Sequence, residues 1–231
     1  MTLLPIPEGV TSTAIVKYLS DLYICPESGG EPLVAAAKEG NAREVQRLIE
    51  CPEVDVNHAD RSRLDGPGVL GNHTSLYLAS KYGHLEVVNV LLQHPHIHVN
   101  HRDFFNQTSL WWASDRGHLQ VVKRLLNDSR TEVNIGRGGV MDSATPLYIA
   151  SEGGHMEVVK ELISHPQINV NKPHPSGNTP LIIASGNGHV DVVGLLLADQ
   201  RVNVNQAGVK GLTPLMVASQ FGHVDVVKML L

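Results

Sequence analysis

Histidine is the residue whose number and spacing in this chain first suggest chemistry. There are 13, and imidazole serves both as a metal ligand and as a general base near neutral pH. His94, His96, His98 and His101 cluster in one short stretch, and in an extended segment the first three point the same way. A structural metal site needs fixed geometry and deprotonated ligands as well as spacing, so no metal is expected there. Five others, His84, His118, His155, His189 and His223, each follow a glycine and recur at a fixed interval, which marks them as structural. Gly136-Arg137-Gly138-Gly139 lacks the Gly-Lys-Ser/Thr ending and the preceding strand of a phosphate loop. No Gly-x-Ser-x-Gly, His-Glu-x-x-His or Cys-x-x-Cys occurs. Glu86, Glu157 and Asp191 share one position of a repeat, where carboxylates solvate a surface or pair locally. Neither a catalytic residue nor a cofactor is expected.

Composition narrows the class further. The net charge of −5 and the pI near 6.2 argue against a nucleic-acid binder. Hydrophobic residues make up 42% of the chain, enough for a folded protein, while aromatic residues make up only 4%, which suits thin stacked layers better than one large core. Two cysteines, Cys25 and Cys51, are too few for a disulfide framework. A reducing compartment, cytoplasm or nucleus, is the expectation. The start, Met1-Thr2-Leu3-Leu4-Pro5, has no basic lead-in, and no stretch approaches the ~20 apolar residues of a membrane span.

The elements that must position any functional side chain follow from an internal repeat. Five blocks align without gaps: Thr74-Ser75-Leu76-Tyr77-Leu78-Ala79-Ser80, then the blocks opening at Thr108, Thr145, Thr179 and Thr213. The threonines are 34, 37, 34 and 34 residues apart. Each block runs into Gly-His and then an apolar, acidic or polar, Val-Val pattern, as in Gly83-His84-Leu85-Glu86-Val87-Val88. A degenerate copy opens at Glu31-Pro32-Leu33, and all copies but the last end in Val-Asn, at Asn57, Asn100, Asn134, Asn171 and Asn205. Thr74, Thr108, Thr145, Thr179 and Thr213 are placed to cap first helices by accepting backbone N–H bonds. Proline next to a cap suits the first turn, and the glycine ends the helix in the left-handed conformation. Leu85, Val88, Leu91 and Leu92 then follow helical spacing. The expected unit is helix, turn, helix, loop, with first and second helices at 75–82 and 85–93, 109–116 and 119–127, 146–152 and 156–164, 180–187 and 190–198, and 214–221 and 224–231.

This pattern resembles the ankyrin repeat, with its Thr-Pro-Leu-His opening, Gly-His centre and Val-Asn end, over roughly residues 31 to 231. The implied fold class is all-α: an ankyrin-repeat solenoid of stacked antiparallel helix pairs with protruding hairpin-like loops, its units starting near 31, 74, 108, 145, 179 and 213. The fourth motif residue departs from the family histidine and is Val34, Tyr77, Trp111, Tyr148, Ile182 or Met216, which implies different packing between neighbours. Trp111 and Trp112 are expected in the core, with an edge of one ring left for the groove.

The resemblance also implies a function, that of a scaffold or adaptor binding another protein on the concave face of loop tips and first helices. Positions that vary there are Arg102, Phe104, Phe105 and Gln107 on one loop and Lys81, Tyr82, Asp115, Arg116, Asn187 and Phe221 on the helices. Phe104 and Phe105 are two of only three phenylalanines, and adjacent rings at a loop tip are hard to explain by folding alone. The alternative is a substrate-targeting arm of a larger enzyme or ubiquitin-ligase complex. Similarity to substrates of asparaginyl hydroxylases marks Asn134, with Leu126, Glu132 and Val133 in place, and Asn57, where Ile49 replaces the leucine.

Insertions of nine residues before Thr74 and three before Thr145 belong on the loop face. The N-terminal segment, 1–30, carries an amphipathic pattern over residues 11 to 24, through Ile15, Val16, Leu19, Leu22 and Tyr23, suited to covering the first repeat. At the other end Met229-Leu230-Leu231 falls in a second helix. The expectation there is a monomer unless the protein continues or another chain covers this end.

Overall fold

The computed structural model describes residues 30–60, 71–136, 144–208 and 210–231. The pattern at residues 11 to 24 lies outside them, as do most of the nine-residue insertion and Arg137 to Ser143. Twelve helices are described: α1 Glu31–Glu39, α2 Ala42–Ile49, α3 Ser75–Tyr82, α4 Leu85–Gln93, α5 Ser109–Asp115, α6 Leu119–Leu126, α7 Pro146–Glu152, α8 Met156–Ser164, α9 Pro180–Gly186, α10 Val190–Ala198, α11 Pro214–Gln220 and α12 Val224–Leu230. From α3 onward the boundaries fall within one residue of those expected. The only strands among the described residues, β1 Ala59–Asp60 and β2 His73–Thr74, form one short antiparallel pair.

Each pair is one layer, and the layers stack in two columns. First helices α1, α3, α5, α7, α9 and α11 pack in order, as do second helices α2 to α12. The core is aliphatic and repeats with the layers: Leu76, Ala79, Val87, Val88 and Leu91 are fully buried, as are Leu147, Ala150, Val159 and Leu162 two layers on. Alanine in mid-helix lets the first helices approach closely, which is why so few aromatic residues suffice.

Local chemistry fixes each helix start. The hydroxyl of Thr74 accepts from the Tyr77 N–H at 3.3 Å, and Thr108, Thr145, Thr179 and Thr213 accept in the same way from Trp111, Tyr148, Ile182 and Met216. These bonds satisfy backbone donors that a helix N-terminus leaves without partners.

The layers are locked by the Gly-His motif acting across them. The imidazole of His118 lies against Gly83 of the previous layer, so close that a Cβ on that glycine would sit 2.8 Å from the ring. His84, His155, His189 and His223 lie likewise against Gly40, Gly117, Gly154 and Gly188, all at positive φ. The Nε2–H of each ring donates to a backbone carbonyl at the end of the previous first helix. Its acceptors run from Lys38 for His84 (3.0 Å) through Lys81, Asp115 and Glu152 to Gly186 for His223 (2.8 Å). That geometry requires the Nε2–H tautomer. The histidines are thus joints between layers.

Two further ties run along the loops. The Asn57 carboxamide donates to His96 O at 2.8 Å and accepts from His98 N at 2.7 Å, and Asn100, Asn134 and Asn171 repeat this bridge to the next layer. Arg130 and Arg201 were not singled out by the sequence. Each reaches back to the C-terminal end of the previous second helix, donating to Leu92 O at 2.8 Å and to Ile163 O at 2.6 Å, while Asp128 and Asp199 hold their guanidinium groups. Cations are favoured at that end of a helix. The same contacts hold both carboxyl groups below their usual range. Cys51 is buried.

Two outcomes test this architecture. Gly117→Ala meets both the left-handed penalty, about 1–2 kcal/mol, and the His155 ring at 2.8 Å. Gly211→Ala meets the first alone, since nothing lies within 4 Å of it. Denaturant unfolding of the 231-residue chain should therefore show the larger loss for Gly117→Ala; equal losses would mean that the interlayer contact contributes nothing. Only Val226 of α12 is fully buried, against Val159 and Leu162 with nearly buried Val158 in α8. Amides of residues 224–230 should accordingly exchange faster than those of 156–164, and equal protection would contradict the burial argument.

Candidate functional site

The first helices present two kinds of adjacent position. In the layers opening at Thr108, Thr145 and Thr179 the fourth motif residue is buried and the fifth half-buried, whereas in the Thr74 layer both Tyr77 and Leu78 are buried and in the last layer Met216 is exposed. Tyr77, Trp111, Tyr148 and Ile182 are buried, whereas Trp112, Ile149, Ile183 and Val217 are half-buried. The expectation for the two tryptophans divides accordingly. Trp111 belongs to the core, its indole N–H donating to Ala144 O at 2.9 Å. Trp112 is half-buried, packed against Val34, Tyr77 and Leu78, with its indole N–H buried.

The buried aromatic residues hold the next loop. Tyr77 stacks on His73 at 4.6 Å between centroids and donates its hydroxyl to Asp103 at 2.9 Å. Tyr148 stacks on His174 of the following hairpin at 5.0 Å. Burial, then the nearby Glu152 carboxylate, push the Tyr148 hydroxyl up to about 12, against a smaller lowering by Ser176. At these two fourth positions the buried tyrosine thus reaches a neighbouring loop.

Asp103 is the organiser of the loop tip, and sequence reasoning passed over it. It is buried, and one carboxylate oxygen accepts from the N–H groups of Phe105 and Gln107, both at 2.8 Å, while the other takes the Tyr77 hydroxyl. The turn closes with Asp103 N–H donating to Gln107 O, and Asn106 takes the left-handed conformation at φ 56°. Gly177 and Gly211 stand at that place in the hairpins 174–178 and 208–212, and asparagine is among the few other residues that adopt it routinely. The signal that points to Asp103 is its Asp-x-x-Asn spacing just ahead of a capping threonine. This turn holds Phe104 at 60% and Phe105 at 41% exposure.

The other expected positions divide. Lys81, Tyr82 and Arg116 come together around Trp112: the Lys81 ammonium lies 4.3 Å from the centre of its ring and 5.8 Å from that of Tyr82, and the Arg116 guanidinium lies 5.2 Å from Trp112. Asp115 pairs with Arg116 at 3.2 Å. Arg102 is exposed on the Phe104 loop and helps line a polar cleft of about 570 Å³ between hairpins, with Asn134, Gln167 and Lys172. Gln107 is a correction. It is only 5% exposed, and both its backbone groups bond Asp103, so it belongs to the support of the turn rather than to an exposed surface. Asn187 is exposed but donates to Glu152 O at 2.9 Å. Phe221 is 62% exposed three layers from Trp112 and borders a separate cleft of about 380 Å³. Asn134 and Asn57 lie on the loop side, their carboxamides engaged with the next layer.

Other chemistry finds no assembly. Among the described residues no group of three His, Cys, Asp or Glu side chains is placed to hold a metal, and no helix is long and apolar enough to cross a membrane. His94 and His96 meet edge to face at 5.9 Å. Burial lowers the His101 pKa, opposed by its bond to Asn72 O.

Comparison with known proteins agrees with this geometry. The family model described as Ankyrin repeats (3 copies) matches residues 9–103, 33–136, 110–207 and 147–231. No curated protein matches the chain. Among solved structures, the chain is similar to the crystal structure of EF0377, an ankyrin repeat protein, with a TM-score of 0.73 and 21% identity, over 87% of this chain and 96% of that one.

Asp103→Ala leaves the Tyr77 hydroxyl and two backbone N–H groups without their acceptor. A loss of about 2–4 kcal/mol is expected, and Tyr77→Phe, which removes one bond, should cost about 1 kcal/mol. Chemical denaturation measures both; an Asp103→Ala protein as stable as the parent would show that the carboxylate does not hold the turn.

Proposed function

Because the chain belongs to the ankyrin-repeat family, whose repeats are protein–protein interaction modules, we propose that it is a scaffold or adaptor whose partner docks on the concave face. The surface runs from the Phe104–Phe105 tip, past Trp112, along Ile149, Ile183 and Val217. The observation that carries this reading is the loop tip. A buried carboxylate holds the turn, and the side chains so positioned, Phe104 and Phe105, point outward and contribute little to the core. An aromatic pair on a preorganised support has the properties of an interface anchor: large apolar area and little freedom left to lose on binding. Binding, not catalysis, is what such a surface performs, since it offers apolar area and a few charges but no nucleophile beside a base.

At roughly 25 cal/mol per Å² of apolar area buried, two rings supply several kcal/mol to an interface. Replacing both Phe104 and Phe105 with Ala should weaken partner binding at least tenfold, about 1.4 kcal/mol, while the melting temperature barely moves. Affinity capture with mass spectrometry identifies the partner, and titration against the variant then measures the effect. A large fall in stability would place the rings in the core; unchanged stability with unchanged binding would place the partner elsewhere on the solenoid.

A further inference from the structure

The concave face is not chemically uniform along its length. At the fifth motif position the half-buried side chains are Trp112, Ile149, Ile183 and Val217, an apolar stripe one residue wide. Charge does not follow that stripe evenly. At the helix position of Lys81 the later layers carry Asp115, Glu152, Gly186 and Gln220, and at that of Arg116 they carry Gly153, Asn187 and Phe221. The cations are confined to the Trp112 end, and there two of them lie over one ring. The Lys81 ammonium stands 4.3 Å from the indole centre and the Arg116 guanidinium 5.2 Å from it. From below, Tyr77 meets the same ring edge to face at 6.0 Å, and Leu78 of the previous layer packs under it. The indole is thus supported by packed apolar neighbours and lies beside two positive charges. Arg102 adds a third cation at the loop tip of the same layer. The nearest acid on α5, Asp115, engages Arg116 at 3.2 Å in a largely solvated pair, which is a weak bond and easily exchanged. This cationic end sits on a chain whose net charge is −5.

We propose, resting on the docking reading above, that the Lys81–Trp112–Arg116 patch binds an acidic segment of a partner protein, in which carboxylates flank an apolar residue. The apolar residue covers the exposed part of the indole. One carboxylate takes the ammonium of Lys81. A second takes the guanidinium of Arg116, whose planar fork suits two parallel bonds to a carboxylate. The layers set the spacing. Packed helices lie about 8–10 Å apart and an extended chain advances about 3.3 Å per residue, so an extended partner meets successive layers at about every third residue. Its apolar residues therefore recur at that interval toward Ile149 and Ile183, with acidic residues concentrated at the Trp112 end. A single-stranded nucleic acid also seeks a cation-flanked aromatic ring. This face offers it one such ring, then Glu152 in the next layer, on a protein of negative net charge.

Trp112 reports on the site directly, because the other tryptophan is buried. The test uses the full chain and three probes: a synthetic peptide of about 12 residues with Leu at every third position and Glu between, its counterpart with Lys for Glu, and an oligothymidylate of about the same length. Binding is followed by tryptophan fluorescence at low and raised salt, where screening weakens contacts between exposed charges. The Glu peptide should bind at least tenfold more tightly than the Lys peptide, and more weakly as salt rises. Lys81→Glu with Arg116→Glu should abolish or reverse that preference, and Lys160→Glu, the same change on an exposed second helix, should leave it intact. Circular dichroism melting confirms that each variant is folded; if the double variant does not fold, Arg116→Gln alone should reduce the preference. Equal or absent binding of the two peptides, a preference that survives the charge reversals, or tighter binding of the oligonucleotide would overturn the proposal. Partner capture that is lost on replacing Phe104 and Phe105 but indifferent to Lys81→Glu and Arg116→Glu would leave docking standing and overturn the acidic partner alone.

Discussion

The stack depends on one contact repeated between layers: an imidazole laid against the left-handed glycine of the layer before it, with its Nε2–H on a carbonyl of that layer's first helix. The glycine has two jobs at once. Its positive φ ends the first helix, and its missing side chain leaves the space the ring fills. Any other residue there fails on both counts. Because the ring follows the glycine of its own layer by one residue, each layer supplies the space for the next and fills that of the last. Stacking distance, register and curvature are then all carried forward by the same short motif, and no residue needs to reach across more than one layer.

Given that lock, the remaining polar groups are used to hold the loops. Asparagines bridge from one Val-Asn segment to the next, and Arg130 and Arg201 complete the ends of the helices behind them. The two arginines serve layers whose second helices end in His-Pro, at His94 and His165, while their own layers end in Asp-x-Arg. The alternation is physical: the Asp-x-Arg turn holds the guanidinium, and the helix before it supplies open carbonyls. The fourth motif residues add a third tie, to the hairpin tip. Where a tyrosine or tryptophan stands, it brings both a stacking surface and one polar atom, so the buried ring also anchors a loop.

The concave face is what these constraints leave over. The first helix is gripped on both sides by its neighbours, so only one stripe of it remains open, at the fifth position. Trp111 and Trp112 are chemically identical and adjacent, yet one is buried and the other half-buried, because a helix turns about 100° between them. The loop tip gains its use in the same way. Asp103, buried beneath it, satisfies the turn from inside, and the turn holds Phe104 and Phe105 at the exposed tip.

The repeat itself was legible from the sequence, and so were its helices, their threonine caps and their terminal glycines. Those features rest on contacts within a few residues, and the same pattern recurs often enough to be read in register. The residue types of the face proposed for docking were legible too, since they need only positions at loop tips and helix ends. Tertiary structure decided the rest. It turned the repeated histidines into interlayer joints, because their acceptors lie about one repeat back in sequence. It buried Gln107, and it made Asp103 the keystone of the tip, because that role depends on Tyr77 in the preceding layer. It set Lys81 and Arg116, from different helices, on one indole. A charge's effect depends on its distance and on what lies between, and those are fixed only when separate layers meet.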